Sequence, residues 1–132
     1  MTGNRAIVVD THAMISGMSP VLQPGCWVFV TSSDPELREC AIAMMREDEG
    51  LSLIVPADRT EGGIKMAQIT LQVASSIEGV GLTAAVARVL SDAGIFCNMV
   101  AGHHHDHAFV PFDRAEEAVA LLKERAAAES EG

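Results

Sequence analysis

With 132 residues, 48% of them hydrophobic and 20% charged, the chain is long enough to bury one core, or two small half-domains sharing a sheet, and too apolar to be disordered. Its formal charge of −9 would repel a phosphate backbone and argues against nucleic acid as a partner. No apolar run approaches the roughly 18 residues that would span a bilayer, and Met1 to Asp10 lacks a basic segment followed by an apolar core, so the chain reads as soluble and cytoplasmic, with no membrane partner.

In chain order, Thr11 to Met18 predicts a short leading helix before Ser19-Pro20, and Cys26 to Thr31 a strand. Asp34-Pro35 starts a helix whose end stays open. It can stop early and leave Met44 to Pro56 as a hairpin around Asp48-Glu49-Gly50, or run to Met45 with Leu37, Ala41, Met44 and Met45 on one face. Asp58 to Gly63 is the natural linker. Beyond it Ile69, Leu71 and Val73 alternate with Thr70 and Gln72, as in a half-buried strand. A loop follows, Ser75-Ser76-Ile77-Glu78-Gly79-Val80-Gly81. Leu82, Ala85, Val86, Val89, Leu90 and Ala93 then repeat at helical spacing, and Gly94 stands where a left-handed cap is needed.

Ile95 to Val100 reads as a strand, Gly102 to Asp106 as a turn and His107 to Phe112 as the return strand. Asp113 and Glu116 form a capping box before a helix carrying Ala115, Ala118, Val119 and Leu122, and Ala126 to Gly132 reads as a frayed tail. The second half is thus β-α-β-β-α, the ferredoxin-like pattern without its last strand, and the first half a looser β-α-β-β. The expected class is α+β: half-repeats over residues 1–60 and 64–125 and a flexible tail over 126–132. They would share one antiparallel sheet with helices on one face, and a dimer would protect its remaining edges.

Several segments, taken together, resemble ACT domains of the CASTOR-like type. They are Ser75 through Ala84, Gly94-Ile95, Asn98, Val100-Ala101-Gly102, His105-Asp106-His107 and Phe109-Val110-Pro111, with Ser19-Pro20, Pro24-Gly25, Trp27-Val28-Phe29 and Glu47 through Leu51 in the first half. The resemblance covers roughly residues 14 to 124. It implies a ferredoxin-like pair of ACT modules that bind an amino acid or similar metabolite at a module or subunit interface. Such a protein is a regulatory sensor and not an enzyme, works as a homodimer and needs no cofactor. The chain departs from bacterial relatives at His103 and His104, where aromatic residues are common, and at Cys26-Trp27, where Tyr usually replaces the indole. Ligand identity, arginine included, therefore does not transfer.

The Ser75 to Gly81 loop leads into a helix N-terminus, whose unpaired N–H groups and positive dipole end favour an anionic group such as an α-carboxylate. Gly79 and Gly81 permit close approach, and Ser75 and Ser76 add hydroxyls. Under the resemblance Asp106 is the acidic residue that meets the ligand's amino group, a strong charge-assisted pairing. The candidate ligand-binding set is Ser75, Ser76, Gly79, Val80, Gly81, Asn98, His103 and Asp106. The competing readings are a glycine-rich turn with a serine cap and a turn aspartate bonding its own backbone.

His103-His104-His105-Asp106-His107 invites a metal reading, since imidazole and carboxylate suit zinc or nickel. If the stretch is extended, however, alternate side chains face opposite sides, and His12 is the sole other histidine, so no metal site is assigned. Cys26, Cys40 and Cys97 are odd in number and without metal spacing, which fits reduced structural thiols. No nucleophile, acid or base stands in a recognised motif, so no catalytic residue is assigned. The alternatives from other classes are a metal-binding protein using the His103–His107 cluster and a structural interaction module.

Overall fold

A computed structural model describes residues 10–73 and 81–131. The first helix, α1 (Thr11–Ser16), starts where the Asp10 carboxylate accepts the Ala13 N–H at 2.9 Å. β1 (Pro20–Leu22) and β2 (Trp27–Thr31) follow, and then α2 (Pro35–Cys40), with Asp34 as N-cap and Pro35 in its first turn. α2 takes the shorter of the two readings. Ala41 is already extended, and the Ile42 N–H leaves the helix to bond Ile54 O at 2.9 Å. Met44 and Met45 are thereby claimed by β3 (Ala43–Glu47), which pairs with β4 (Gly50–Pro56) across a tight turn.

The second half holds β5 (Met66–Leu71), α3 (Leu82–Asp92), β6 (Asn98–Ala101), β7 (Asp106–Pro111) and α4 (Ala115–Glu131). β5 ends two residues before the alternation suggests, because the Gln72 N–H turns to the carbonyls of Met18 and Ser19. β6 begins at Asn98 rather than Ile95, whose N–H bonds back to Leu90 O while Gly94 takes φ 72°. A 3-10 turn, Phe112–Arg114, leads into α4. Arg114 holds that turn down through Glu117 and the carbonyls of Ala93 and Gly94. Where composition suggests a frayed tail from Ala126, the helix runs on to Glu131, with Arg125 paired to Glu129 and Glu129 also meeting His12 of α1.

All strands pair antiparallel, in the order β3-β4-β2-β5-β7-β6, with β1 also on β5. A ferredoxin-like unit needs a fourth strand beside its first. In the second unit β1 fills that place, pairing Pro20, Val21 and Leu22 with Leu71, Thr70 and Ile69. β2 then crosses over to β4, touching β5 only where Trp27 meets Met66. The fold is therefore the expected α+β, ferredoxin-like arrangement of two half-repeats on one sheet, with a strand lent by the first to the second.

Strand register sorts the side chains into two faces. Ala67, Ile69, Leu71, Ala108 and Val110 point to one side. There they are buried against Met14, Ile15 and Met18 from α1 and its exit, Leu82, Val86 and Leu90 of α3, and Ala118 and Leu122 of α4. Val28, Leu53 and Val55 lie on the same side beneath Leu37 and Cys40 of α2. The opposite face carries Ile54, Met66 and Phe109, with the Phe109 ring edge-on to Phe29, centroids 5.6 Å apart. The sheet curls around this second face. Its two outermost strands, β3 and β6, line a common apolar groove of about 420 Å³ with Phe29 and Ile54.

Candidate functional site

Leu71 lies between Pro20 of β1 and Asp106 of β7, and Asp106 in turn pairs with Ala101. The exit of β5, the entry of β1 and the Gly102–His105 turn therefore share one end of the sheet. Sequence dictates the turn: Gly102 N–H donates to His105 O at 2.9 Å, closing a tight link between short strands. Asp106 opens β7 half-buried, on the helix-bearing side by its register with Leu71. His103 is exposed and packs edge-on against His104, with centroids 5.0 Å apart.

Gly81 marks the start of α3, with φ 106° and its carbonyl accepting the Ala85 N–H. It lies against Thr11 of α1, so a Cβ added there would sit 2.4 Å from Thr11 Cγ2. Ser75, Ser76, Gly79 and Val80 lie outside the described residues. Asn98 is placed apart from Asp106. Its amide donates to Met66 Sδ at 3.8 Å on the opposite face, three residues from Ala101 along β6, or roughly 10 Å at strand rise. The described part of the candidate set thus brings Asp106 and His103 to one end of the sheet, sets Gly81 against Thr11 of α1, and puts Asn98 elsewhere.

A polar seam crosses the face opposite the helices that sequence reading does not single out. Thr70 is 3% exposed; its hydroxyl oxygen accepts from Gln23 Nε2 at 3.0 Å and lies 3.0 Å from His107 Nδ1, which Gln68 Nε2 also approaches at 3.1 Å. With Gln23 donating to it, the Thr70 hydroxyl donates its hydrogen bond to Nδ1, as the Gln68 amide does, so Nδ1 accepts and the neutral His107 ring carries its hydrogen on Nε2. The signal was there in Gln68, Thr70 and His107, polar residues at alternate positions of two apolar strands. Burial holds the His107 pKa below its ordinary 6.5, nearby His105 lowers it further and Asp106 partly offsets both.

A pH dependence follows from that direction. Below about pH 6.5 the unfolded chain takes up a proton that the folded imidazole resists, so this contribution is fully present above 6.5. It is lost as pH falls through the depressed folded value. Thermal midpoints at pH 7.5 and 5.5 should therefore differ more for the native chain than for His107→Gln. Equal differences would remove His107 as the cause.

Among the described residues, His105 Nδ1 is buried without a hydrogen-bond partner. Among the described residues no three His, Cys, Asp or Glu side chains come together as metal ligands. Cys97 is packed against the helix-side core, where burial pushes its thiol up to about 11, so it is protonated at neutral pH. Among the described residues no helix is long and apolar enough to cross a membrane.

Two ACT-domain family models match the chain, one over residues 64–124 and one over residues 8–65. The chain belongs to the ACT-domain family. The two matches divide this ACT-domain protein close to the Gly62-Gly63 linker, so each half is recognisable by itself although β1 crosses to the other's strand. A Vibrio cholerae protein of unknown function, described as a possible transport protein, is 38% identical, with TM-score 0.77 over 87% of this chain and 94% of its own. An Agrobacterium tumefaciens protein aligns with TM-score 0.64 at 19% identity over 81% of this chain and 87% of its own. The ligand-free regulatory subunit of Thermus thermophilus aspartate kinase aligns with TM-score 0.60 at 9% identity over 83% of this chain and 97% of its own, a likeness of fold. No curated protein matches.

Proposed function

We propose that this ACT-domain protein is a non-catalytic cytoplasmic regulator that binds an amino acid between Asp106, which opens β7, and the N-terminus of α3 at Gly81. The observation that supports the reading is the register of β1, β5 and β7, in which the exit of β5 at Leu71 and the first residue of β7, Asp106, share one end of the sheet. A carboxylate there would meet the ligand's ammonium, and the N–H groups opening α3 its carboxylate, so a zwitterion finds both signs within one site. The aspartate kinase neighbours, which are regulatory subunits, support a regulatory role. The CASTOR-like pattern of the Ser75 to Ala84 segment supports an amino-acid ligand, with Ser75, Ser76, Gly79 and Val80 completing the site and His103 at its rim.

In this reading the protein works as a homodimer, with β3 and β6 supplying free edges for pairing. A ligand that binds one arrangement of the two modules better than another shifts the population, and a partner protein reads the shift.

The test is a calorimetric screen of the amino acids, repeated with Asp106→Ala. One amino acid should bind, and the substitution, which removes a charge-assisted hydrogen bond, should weaken it by roughly tenfold to a hundredfold. Failure of every amino acid at millimolar concentration, or unchanged affinity in Asp106→Ala, would overturn the proposal.

A further inference from the structure

The first half-unit carries two arginines that the reading above does not use. A concavity of about 390 Å³ lies at the β3–β4 hairpin, lined by Arg38, Met44, Arg46, Glu47, Gly50 and Leu51. Arg46 is the register partner of Leu51, and Met44 that of Leu53, so both point to the helix-bearing side. α2 packs on β4 there and contributes Arg38.

Neither arginine has an ion-pair partner among the described residues, whereas Arg88, Arg114 and Arg125 each have one. Glu47, the one acid in the lining, has its carboxylate engaged by the Ser52 hydroxyl. In a chain of net charge −9, carboxylates are plentiful, yet the two guanidinium groups that line this hollow are paired with none among the described residues. Such a pair can take an anion, since planar guanidinium groups match the oxygens of a carboxylate or phosphate.

We propose that Arg38 and Arg46 form a second site, which takes the phosphate or carboxylate group of a small metabolite whose apolar part rests on Met44 and Leu51. It lies on elements of the first half-unit, away from the β5–α3 and β6–β7 segments, so it stands or falls independently of the amino-acid site. Both arginines are exposed, and water screens their charge, which places the affinity for a simple anion in the millimolar range.

The experiment is a nuclear magnetic resonance titration of the full chain with inorganic phosphate and, separately, with acetate, at constant ionic strength set by chloride. Saturable shifts should appear at the Arg46, Gly50 and Leu51 amides. Arg38→Gln and Arg46→Gln, which keep the fold because both side chains are exposed, should each raise the dissociation constant about tenfold. Arg88→Gln, on α3, should leave it unchanged. Stronger binding of phosphate would assign the site to phosphate esters, and of acetate to carboxylates. No saturable shift with either anion, shifts that survive both substitutions, or an equal effect of Arg88→Gln would overturn the proposal.

Discussion

A fragment starting at Ile64 should fail to fold cooperatively, although residues 64–124 match an ACT-domain model by themselves. Met14, Ile15 and Met18, exposed by 1%, 5% and 0%, close the core over β5, α3 and α4. Removing them takes away about 1.5–3 kcal/mol of apolar burial each. It also strips β1 from β5, which exposes the backbone of Ile69 to Leu71 along a new edge. The loss is comparable to the total stability of about 5–15 kcal/mol expected for a domain. Circular dichroism of the fragment should show no sharp thermal transition, and adding a peptide spanning residues 10–26 should restore one. A fragment that melts like the full chain would mean that β1 and α1 are ornaments on a unit complete without them.

The second large effect is expected at Gly81→Ala. Its φ of 106° lies in the region that costs an L-residue about 1–2 kcal/mol, and the new methyl would sit 2.4 Å from Thr11 Cγ2. That contact forces α1 off α3, adding an overpacking cost of about 1–3 kcal/mol. Gly94→Ala separates the two terms, since Gly94 also has a positive φ, 72°, but nothing within 4 Å of an added Cβ. Denaturant melts should rank Gly81→Ala well below Gly94→Ala. Thr11→Ser, which removes Cγ2, should recover part of the Gly81→Ala loss in a double-mutant cycle. Equal losses at the two glycines would mean that the helices give way without strain.

Part of the fold is legible from periodicity because α3 buries one stripe and leaves the opposite side exposed, whereas β5 is buried on both faces. The spacing of Leu82, Val86 and Leu90 marks the buried stripe of α3, and the Gly62-Gly63 pair marks a turn between β4 and β5, with both residues at positive φ. What local pattern does not carry is partnership between distant segments. Val21 and Leu22 pair with Thr70 and Ile69, some 48 residues away along the chain, and nothing in Pro20 to Leu22 names that partner. The end of α2 was equally open, since Met44 and Met45 fit either a helix face or a strand until β4 competes for them.

At the candidate site the asymmetry is similar. A carboxylate beside a turn can be read from Asp106 itself, whereas the different placement of Asn98 follows from register. The His107 seam needs three strands to come together before its hydrogen bonds exist.

The contact between His12 and Glu129 brings the first and last described helices within side-chain reach of each other. The described ends of the polypeptide therefore meet on one side of the molecule, while the Asp48–Glu49 turn is exposed. A short bridge across those ends, with the chain opened instead at the hairpin, would present the same contacts in a new sequence order, as tolerated permutations do.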